Sequence, residues 1–322
     1  MLARHLLRRV LIAVPVTIGV TAITFFLMMA SIGNYIPGLQ IDSTTNAANV
    51  EGLRQAMGID RPLLVQYFDW LGGVVQGDFG TSLVGHGSVA AMIAQTLPNT
   101  LLLVGISSIV AALIAIPVGT ISAWRRGTKV DHAFSALSVA GFAIPQFWLA
   151  LVLLLVFSVK FAAWGLPHLP AGGAYTIGDG SFSDRVVHLV LPVIVTASLY
   201  VSIWSRYTRS SVIEALANDY VRTAKAKGMP GRRVLFVHAV RNGLLPLVTL
   251  IGLHLPALVS GTVVVEVIFN WPGMGRLAYN HALQYDYTTV LGITTLAAVM
   301  VVLGNLLADV AYAFLDPRIR HR

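Results

Sequence analysis

The stretch EALANDYVRTAKAKG, Glu214 to Gly228, is where residue type and spacing point to mechanical work rather than bond-making. It reads as a helix that ends at a glycine. Leu216, Tyr220, Ala224 and Gly228 recur every four residues, so they fall on one face. Alanine and glycine keep that face low, which permits close approach by another surface. The opposite side carries Arg222, Lys225 and Lys227, and Pro230-Gly231 stops the helix. Two readings fit. One is a basic amphipathic helix resting on anionic headgroups. The other is a helix that plugs a groove on a cytosolic partner. The small-residue face favours the plug, because a lipid-resting helix normally presents large apolar side chains.

Catalytic patterns do not appear. No G-x-x-x-x-G-K-[ST] phosphate loop occurs, so the chain itself is not expected to hydrolyse ATP, and no H-E-x-x-H occurs. There is no cysteine, hence no disulfide, thiolate zinc site, iron–sulfur cluster or cysteine nucleophile. His168 and His188 stand at no metal-ligand spacing with a neighbour. Asp309 and His254 fall inside apolar runs, where ionisable groups are functional candidates by default. A bond to a neighbouring helix accounts for each equally simply, and a proton-coupled carrier usually shows a richer set. No cofactor or metal is expected on this chain.

The elements that must position the Glu214–Gly228 stretch are set by composition. Of 322 residues, 56% are hydrophobic and 11% charged. Soluble domains carry about 25% charged residues. Mean hydropathy is +0.75. An integral membrane protein remains, and soluble enzymes, disordered chains and disulfide scaffolds are excluded. A bilayer core about 30 Å thick takes roughly 20 apolar residues. Runs of that kind occur at Val10–Ser31, Leu97–Trp124, His132–Val159, Val186–Ser205, Asn242–Val265 and Tyr287–Ala308, the last continuing toward Leu315. Six helices put both termini on one side. With the N-terminus in the cytosol, seventeen Lys and Arg lie inside and five outside, so the positive-inside rule fixes the orientation. The net charge of +8 is therefore a topology signal and not a nucleic-acid footprint. Basic residues before Val10 could be misread as a signal peptide, but the following apolar run is too long for one.

The segments divide as 1–33 (tail and first span), 34–96 (an outer cap) and 97–322 (a five-helix core with a cytosolic loop at 206–241). Within the cap, Asp60–Leu71 predicts a short helix from Pro62, with Tyr67, Phe68 and Trp70 suited to the headgroup boundary. Ser88–Gln95 is a second short amphipathic stretch. The outer loop Lys160–Arg185, rich in Gly and Pro, predicts irregular structure. Prolines 15, 117, 145, 192, 246 and 256 interrupt the spans, as is tolerated where neighbours or a cavity satisfy the freed backbone.

Several stretches carry a family resemblance: RHLLRRVLIAVPV at the start, GIDRPLLVQYFDWLGGVVQGDFGTS (Gly58–Ser82), FAIPQFWLALVLLLVF (Phe142–Phe157), DYVRTAKAKGM (Asp219–Met229), HAVRNGLLPLVT (His238–Thr249), VVVEVIFNWPGMGRL (Val263–Leu277) and ADVAYAFLDPRIR (Ala308–Arg320). They resemble the peptide/opine/nickel branch of bacterial binding-protein-dependent ABC importers, the OppB/DppB type of permease subunit. DYVRTAKAKGM resembles the EAA loop of that family. Its opening acid would fall at Asp219 and its first alanine is replaced, leaving Ala224 and Gly228 as the clearest matches.

The resemblance implies an all-α, six-helix, type I (MetI-like) permease fold in the bacterial inner membrane. It implies pairing with a second, homologous permease chain, two cytosolic ABC ATPase subunits that hold ATP and Mg, and an external solute-binding protein that delivers a peptide. It assigns ATPase coupling to Leu216, Asp219, Tyr220, Arg222, Thr223, Ala224, Lys225, Ala226, Lys227 and Gly228. Glu266 and Arg276, flanking the turn with Trp271, Pro272, Gly273 and Gly275, become the candidates for an outer gate or binding-protein contact. Relatives of the branch handle di- and oligopeptides, nickel chelates, haem or glutathione. The competing function is a secondary carrier or channel that works alone.

Overall fold

The structure, a computed structural model, describes residues 2–32, 61–244, 246–247, 250–251 and 262–315. Among them the regular structure is all helical, with no strand beyond one isolated bridge between Thr81 and Ser88, and 164–181 is irregular as its Gly and Pro content predicts. The helices are α1 (Leu2–Ile32), α2 (Leu63–Val75), α3 (Val89–Trp124), α4 (Lys129–Ala143) and α5 (Gln146–Ala163). There follow α6 (Phe182–Ala217), α7 (Asp219–Ala226), α8 (Gly231 through Gly243), α9 (Val263–Ile268), α10 (Met274–Leu283) and α11 (Tyr287–Leu315). Among the described residues four stretches are long and apolar enough to cross a membrane: Val89–Trp124, Gln146–Ala163, Phe182–Ala217 and Tyr287–Leu306; Val14–Ala30 and Leu63–Val75 are shorter apolar helices.

The apolar runs at Val10, Leu97, Val186 and Tyr287 lie in α1, α3, α6 and α11. The third run is broken. Ile144 and Pro145 have ψ of 121° and 132°, so two extended residues separate α4 from α5. Proline pushes the residue before it out of the helical region and supplies no amide for the ladder. Most of the fifth run, with His254 and Pro256, lies outside the described residues, as does the side chain of Asp309. The amphipathic stretch at Ser88 is not separate. Ser88 caps α3, its hydroxyl accepting from the Ala91 amide at 3.4 Å, and Val89 begins the long helix.

The core is the seam between α3 and α6. Leu103, Ser107, Ala111, Ala115, Gly119 and Ala123 are all buried and recur every fourth residue along α3. Val193, Ala197, Tyr200, Trp204, Thr208 and Val212 of α6 are buried alongside. At Gly119 the helices touch: a Cβ there would stand 2.6 Å from the Ser205 carbonyl and 2.6 Å from Thr208 Cβ. In lipid, close backbone approach over small residues replaces the hydrophobic effect as the packing force. A second seam joins α4 to α6, where the Ser138 and Ser205 hydroxyls bond at 2.9 Å and Gly141 lies over Ser202.

The outer helix α2 does not place Tyr67 at the headgroups. Tyr67 is 3% exposed, its hydroxyl lies 3.0 Å from Thr21 Oγ1, and it donates to the Ile18 carbonyl at 3.1 Å. Its ring meets Phe25 edge-on at 5.5 Å. The hydroxyl that would suit a wet interface is satisfied by α1, so the residue is drawn inward. Phe68, one position on, is exposed.

Candidate functional site

The cytosolic end of α6 carries the first site. Asn218 is extended (φ −72°, ψ 153°), so α6 ends at Ala217 and α7 starts at Asp219. The single helix expected over Glu214–Gly228 is therefore two. Asn and Asp compete with helical backbone bonds and favour helix starts, and Asn218-Asp219 breaks the run there. Gly228 lies beyond α7 at φ +77°; its amide bonds the Lys225 carbonyl at 2.9 Å and the Met229 amide bonds the Ala224 carbonyl at 3.3 Å. That left-handed turn reverses the chain into Pro230 and α8.

The break changes which face is offered. Val221, Ala224 and Val234 are buried together, with Leu216, Tyr220 and Met229 packed around them. The face of Leu216, Tyr220 and Ala224, expected to meet a partner, holds α7 against its own chain. Asp219, Arg222, Thr223, Lys225, Ala226, Lys227 and Gly228 are exposed. Arg222 and Asp219 approach at 3.5 Å with side chains 78% and 95% exposed, a pair of little energetic weight. What protrudes is a short, basic surface with small residues at its centre, clamped from behind.

About two turns back along α6 from its end, Arg209 forms an ion pair whose carboxylate is buried and whose guanidinium is partly exposed. Asp131, 2% exposed, opens α4. Its carboxylate accepts from Arg209 Nε at 2.7 Å and Nη2 at 2.8 Å, from the Gly127 amide at 2.9 Å and from the Ser122 hydroxyl. The Arg209 guanidinium holds the Asp131 carboxyl well below the usual carboxylate range. One side chain thus ties the end of α3, the α3–α4 turn, the start of α4 and the inner part of α6.

At the outer side, Glu266 of α9 is fully buried. Its carboxylate accepts from Thr100 Oγ1 at 3.0 Å and from the Arg276 amide at 2.9 Å. Thr100 Oγ1 also receives the Met274 amide at 2.7 Å. The Trp271 indole donates to the Asn99 carbonyl at 3.0 Å, and Asn99 Nδ2 to the Pro272 carbonyl at 2.9 Å. A Cβ at Gly273 would stand 2.5 Å from Glu266 Cδ, so a side chain there would displace the carboxylate, and one at Gly275 would be tight at 3.0 Å from Val263 and 3.1 Å from Oε2. Glu266 and Arg276 come together through the backbone amide. The Arg276 guanidinium instead bonds the Asn270 carbonyl at 2.9 Å, near the surface. Glu266 and Trp271 face inward and clamp α9 and α10 to α3; Arg276 and Pro272 are partly exposed.

A family model described as "Binding-protein-dependent transport system inner membrane component" matches residues 115–321, and its N-terminal companion matches residues 1–104. The chain belongs to this family of inner membrane transport components. It is 43% identical over 322 residues to the oligopeptide transport system permease protein AppB of Bacillus subtilis, covering 99% of this chain and 100% of that one. It is 35% identical over 344 residues to the dipeptide transport system permease protein DppB of Escherichia coli K12, covering 99% of each. A solved amino acid ABC transporter with histidines superposes with a TM-score of 0.51 at 15% identity, over 70% of this chain and 94% of that one, a likeness of fold.

Two buried tie points of this inner membrane component, Asp131 and Asp286, carry only weak signals in the sequence. For Asp131 the available signal is Thr128-x-x-Asp131, which has the form of a helix start. Asp286, fully buried before α11, accepts from Ser82 Oγ, from Thr289 Oγ1 at 2.8 Å and pairs with His281 Nδ1 at 2.8 Å. Its place just ahead of an apolar run is a capping signal. Among the described residues no group of His, Cys, Asp and Glu is close enough to hold a metal.

Proposed function

We propose that this chain is one permease subunit of an ATP-driven, binding-protein-dependent importer of di- or oligopeptides. In this reading α7 seats in a groove on a cytosolic ATPase subunit, and a second homologous permease chain completes the pathway. ATP and Mg belong to the ATPases, and an external binding protein brings the peptide. The observation that carries the reading is α7 itself. It is a helix of eight residues, anchored through Val221 and Ala224, with Thr223, Lys225 and Ala226 directed away from the rest of the chain. A structure of that kind is suited to being pushed by something outside the bundle. The oligopeptide and dipeptide permeases named above supply the substrate class. The turn clamped by Glu266 serves, in the same reading, as a rigid outer gate element whose accessible part is Pro272 and Arg276.

The test is reconstitution. Peptide uptake into proteoliposomes is expected only when the partner permease, the ATPases, ATP and the binding protein are all present. Uptake by this chain alone, driven by an ion gradient, would make it a self-sufficient carrier and overturn the proposal.

A further inference from the structure

We propose that the Asp131–Arg209 pair is the joint through which displacement of α7 is passed to α4, so that the inner halves of α6 and α4 move as one body. The inference rests on the reading of α7 as the ATPase-coupled helix. Arg209 lies eight residues before Ala217, the last residue of α6, about 12 Å along the helix. A push on α7 therefore reaches the pair before it reaches the membrane.

The routes from α6 to its two neighbours differ in kind. Contact with α3 is close packing over small residues, and at Gly119 backbone meets backbone. Contact with α4 is a narrow polar line: Asp131 to Arg209, Ser138 to Ser205, and Gly141 over Ser202. A line of hydroxyls alone can slide by exchanging partners. A bidentate guanidinium–carboxylate pair fixes register, because both bonds have one geometry. Measured against an apolar replacement such a pair contributes little net stability, although losing one partner alone is costly, so its use here is positional. The same carboxylate grips Ser122 and the Gly127 amide, which stops α4 from rotating away from α3. Beyond Ala143 the extended residues Ile144 and Pro145 interrupt the helix. The straight helix that carries the pair ends there, and α5 meets α3 and α6 through a separate apolar contact around Ala150.

The test uses the assembled importer in proteoliposomes. Arg209→Met keeps the apolar stem and removes the pair. ATP hydrolysed per peptide imported is expected to rise about fivefold or more, with ATPase co-purification unchanged. Parallel loss of uptake and hydrolysis at a constant ratio would assign the pair to stability alone and overturn the joint. A second arm avoids any folding defect. The chain has no cysteine of its own, so Ser138→Cys with Ser205→Cys places a single cross-link across the seam. If α4 and α6 move together, oxidation leaves uptake intact, and in the Arg209→Met background it restores the ratio. If oxidation blocks uptake and reduction restores it, α4 slides on α6 and the proposal fails. Failure of the α7 reading is separately visible, as ATPase co-purification indifferent to Ala226→Trp.

Discussion

Replacing Ala226 by Trp tests the orientation of α7 more sharply than any change at the neighbouring glycine. Gly228 has open space around it but sits at φ +77°, so a leucine there is strained whatever its contacts. Ala226 is exposed on the last turn of α7 and touches none of the buried cluster. A Trp there adds bulk where the proposed groove closes. Overpacking a fitted contact costs about 1–3 kcal/mol, equivalent to a roughly 5- to 150-fold weaker Kd for the ATPase pair. The fold loses nothing, so Tm in detergent stays put. Val221, which is fully buried, provides the contrast. Val221→Ala removes two methylene equivalents at about 0.8 kcal/mol each and leaves a small void, about 2 kcal/mol in all, so α7 frays and amide exchange across it quickens. ATPase affinity is read by surface-immobilised permease binding the purified ATPases, and local order by hydrogen exchange. Unchanged affinity for Ala226→Trp would refute the orientation, and so would loss of affinity accompanied by a lowered Tm.

Gly119→Val forces a branched side chain against the Ser205 carbonyl and Thr208, which cannot both retreat; a loss of about 1–3 kcal/mol is expected, seen as a lower Tm in detergent. Glu266→Gln leaves an amide donor facing the Arg276 amide or the Thr100 hydroxyl, at a cost of about 1–3 kcal/mol. Arg276→Met removes only a bond near the surface and should leave Tm almost unmoved; equal effects would dissolve the clamp. For pH, the folded-state pKa of Asp131 is depressed, so the unfolded chain takes up the proton first. The stabilisation from the pair is complete above about pH 4 and is lost as pH falls toward the folded value. The slope of Tm between about pH 5 and pH 3 should be shallower for Asp131→Asn, and an unaltered slope would show that other carboxylates govern acid unfolding.

The bilayer imposes spans so strongly that hydropathy alone located α1, α3, α6 and α11. The tie points were hidden because they depend on distant partners. Asp131 and Arg209 are 78 positions apart, and Thr100 and Glu266 are 166 apart. Periodicity misled for a related reason. A stripe of small residues at a spacing of four shows that a face is packed closely, but it does not say against what. Along α3 the stripe meets α6 of the same chain. At Leu216, Tyr220 and Ala224 the same pattern was assigned to a foreign surface, and it turned out to meet Val234 and Met229. The clue available in sequence was Val221, too apolar for a surface and out of step with that stripe unless the helix restarted after Asn218.

These corrections bear on how force would cross the molecule. Had Tyr220 and Ala224 faced the ATPase, α7 would hang from α6 by its backbone alone, and Asn218 would act as a swivel. With Val221 and Ala224 packed on Val234, α7 is instead braced by α8 as well as by α6. A second brace runs from the turn after α7, where Gly231 lies beneath the Trp124 ring at the end of α3; a Cβ there would stand 3.0 Å from it. A push on the exposed face of α7 thus reaches α6 along the chain, α3 through Trp124 and α4 through Asp131. Three helices receive it at their inner ends at once. The Glu266 clamp binds α9 and α10 to the outer end of α3, at Asn99 and Thr100. A tilt of α3 therefore carries the outer turn with it, as the proposed function would require of a gate element.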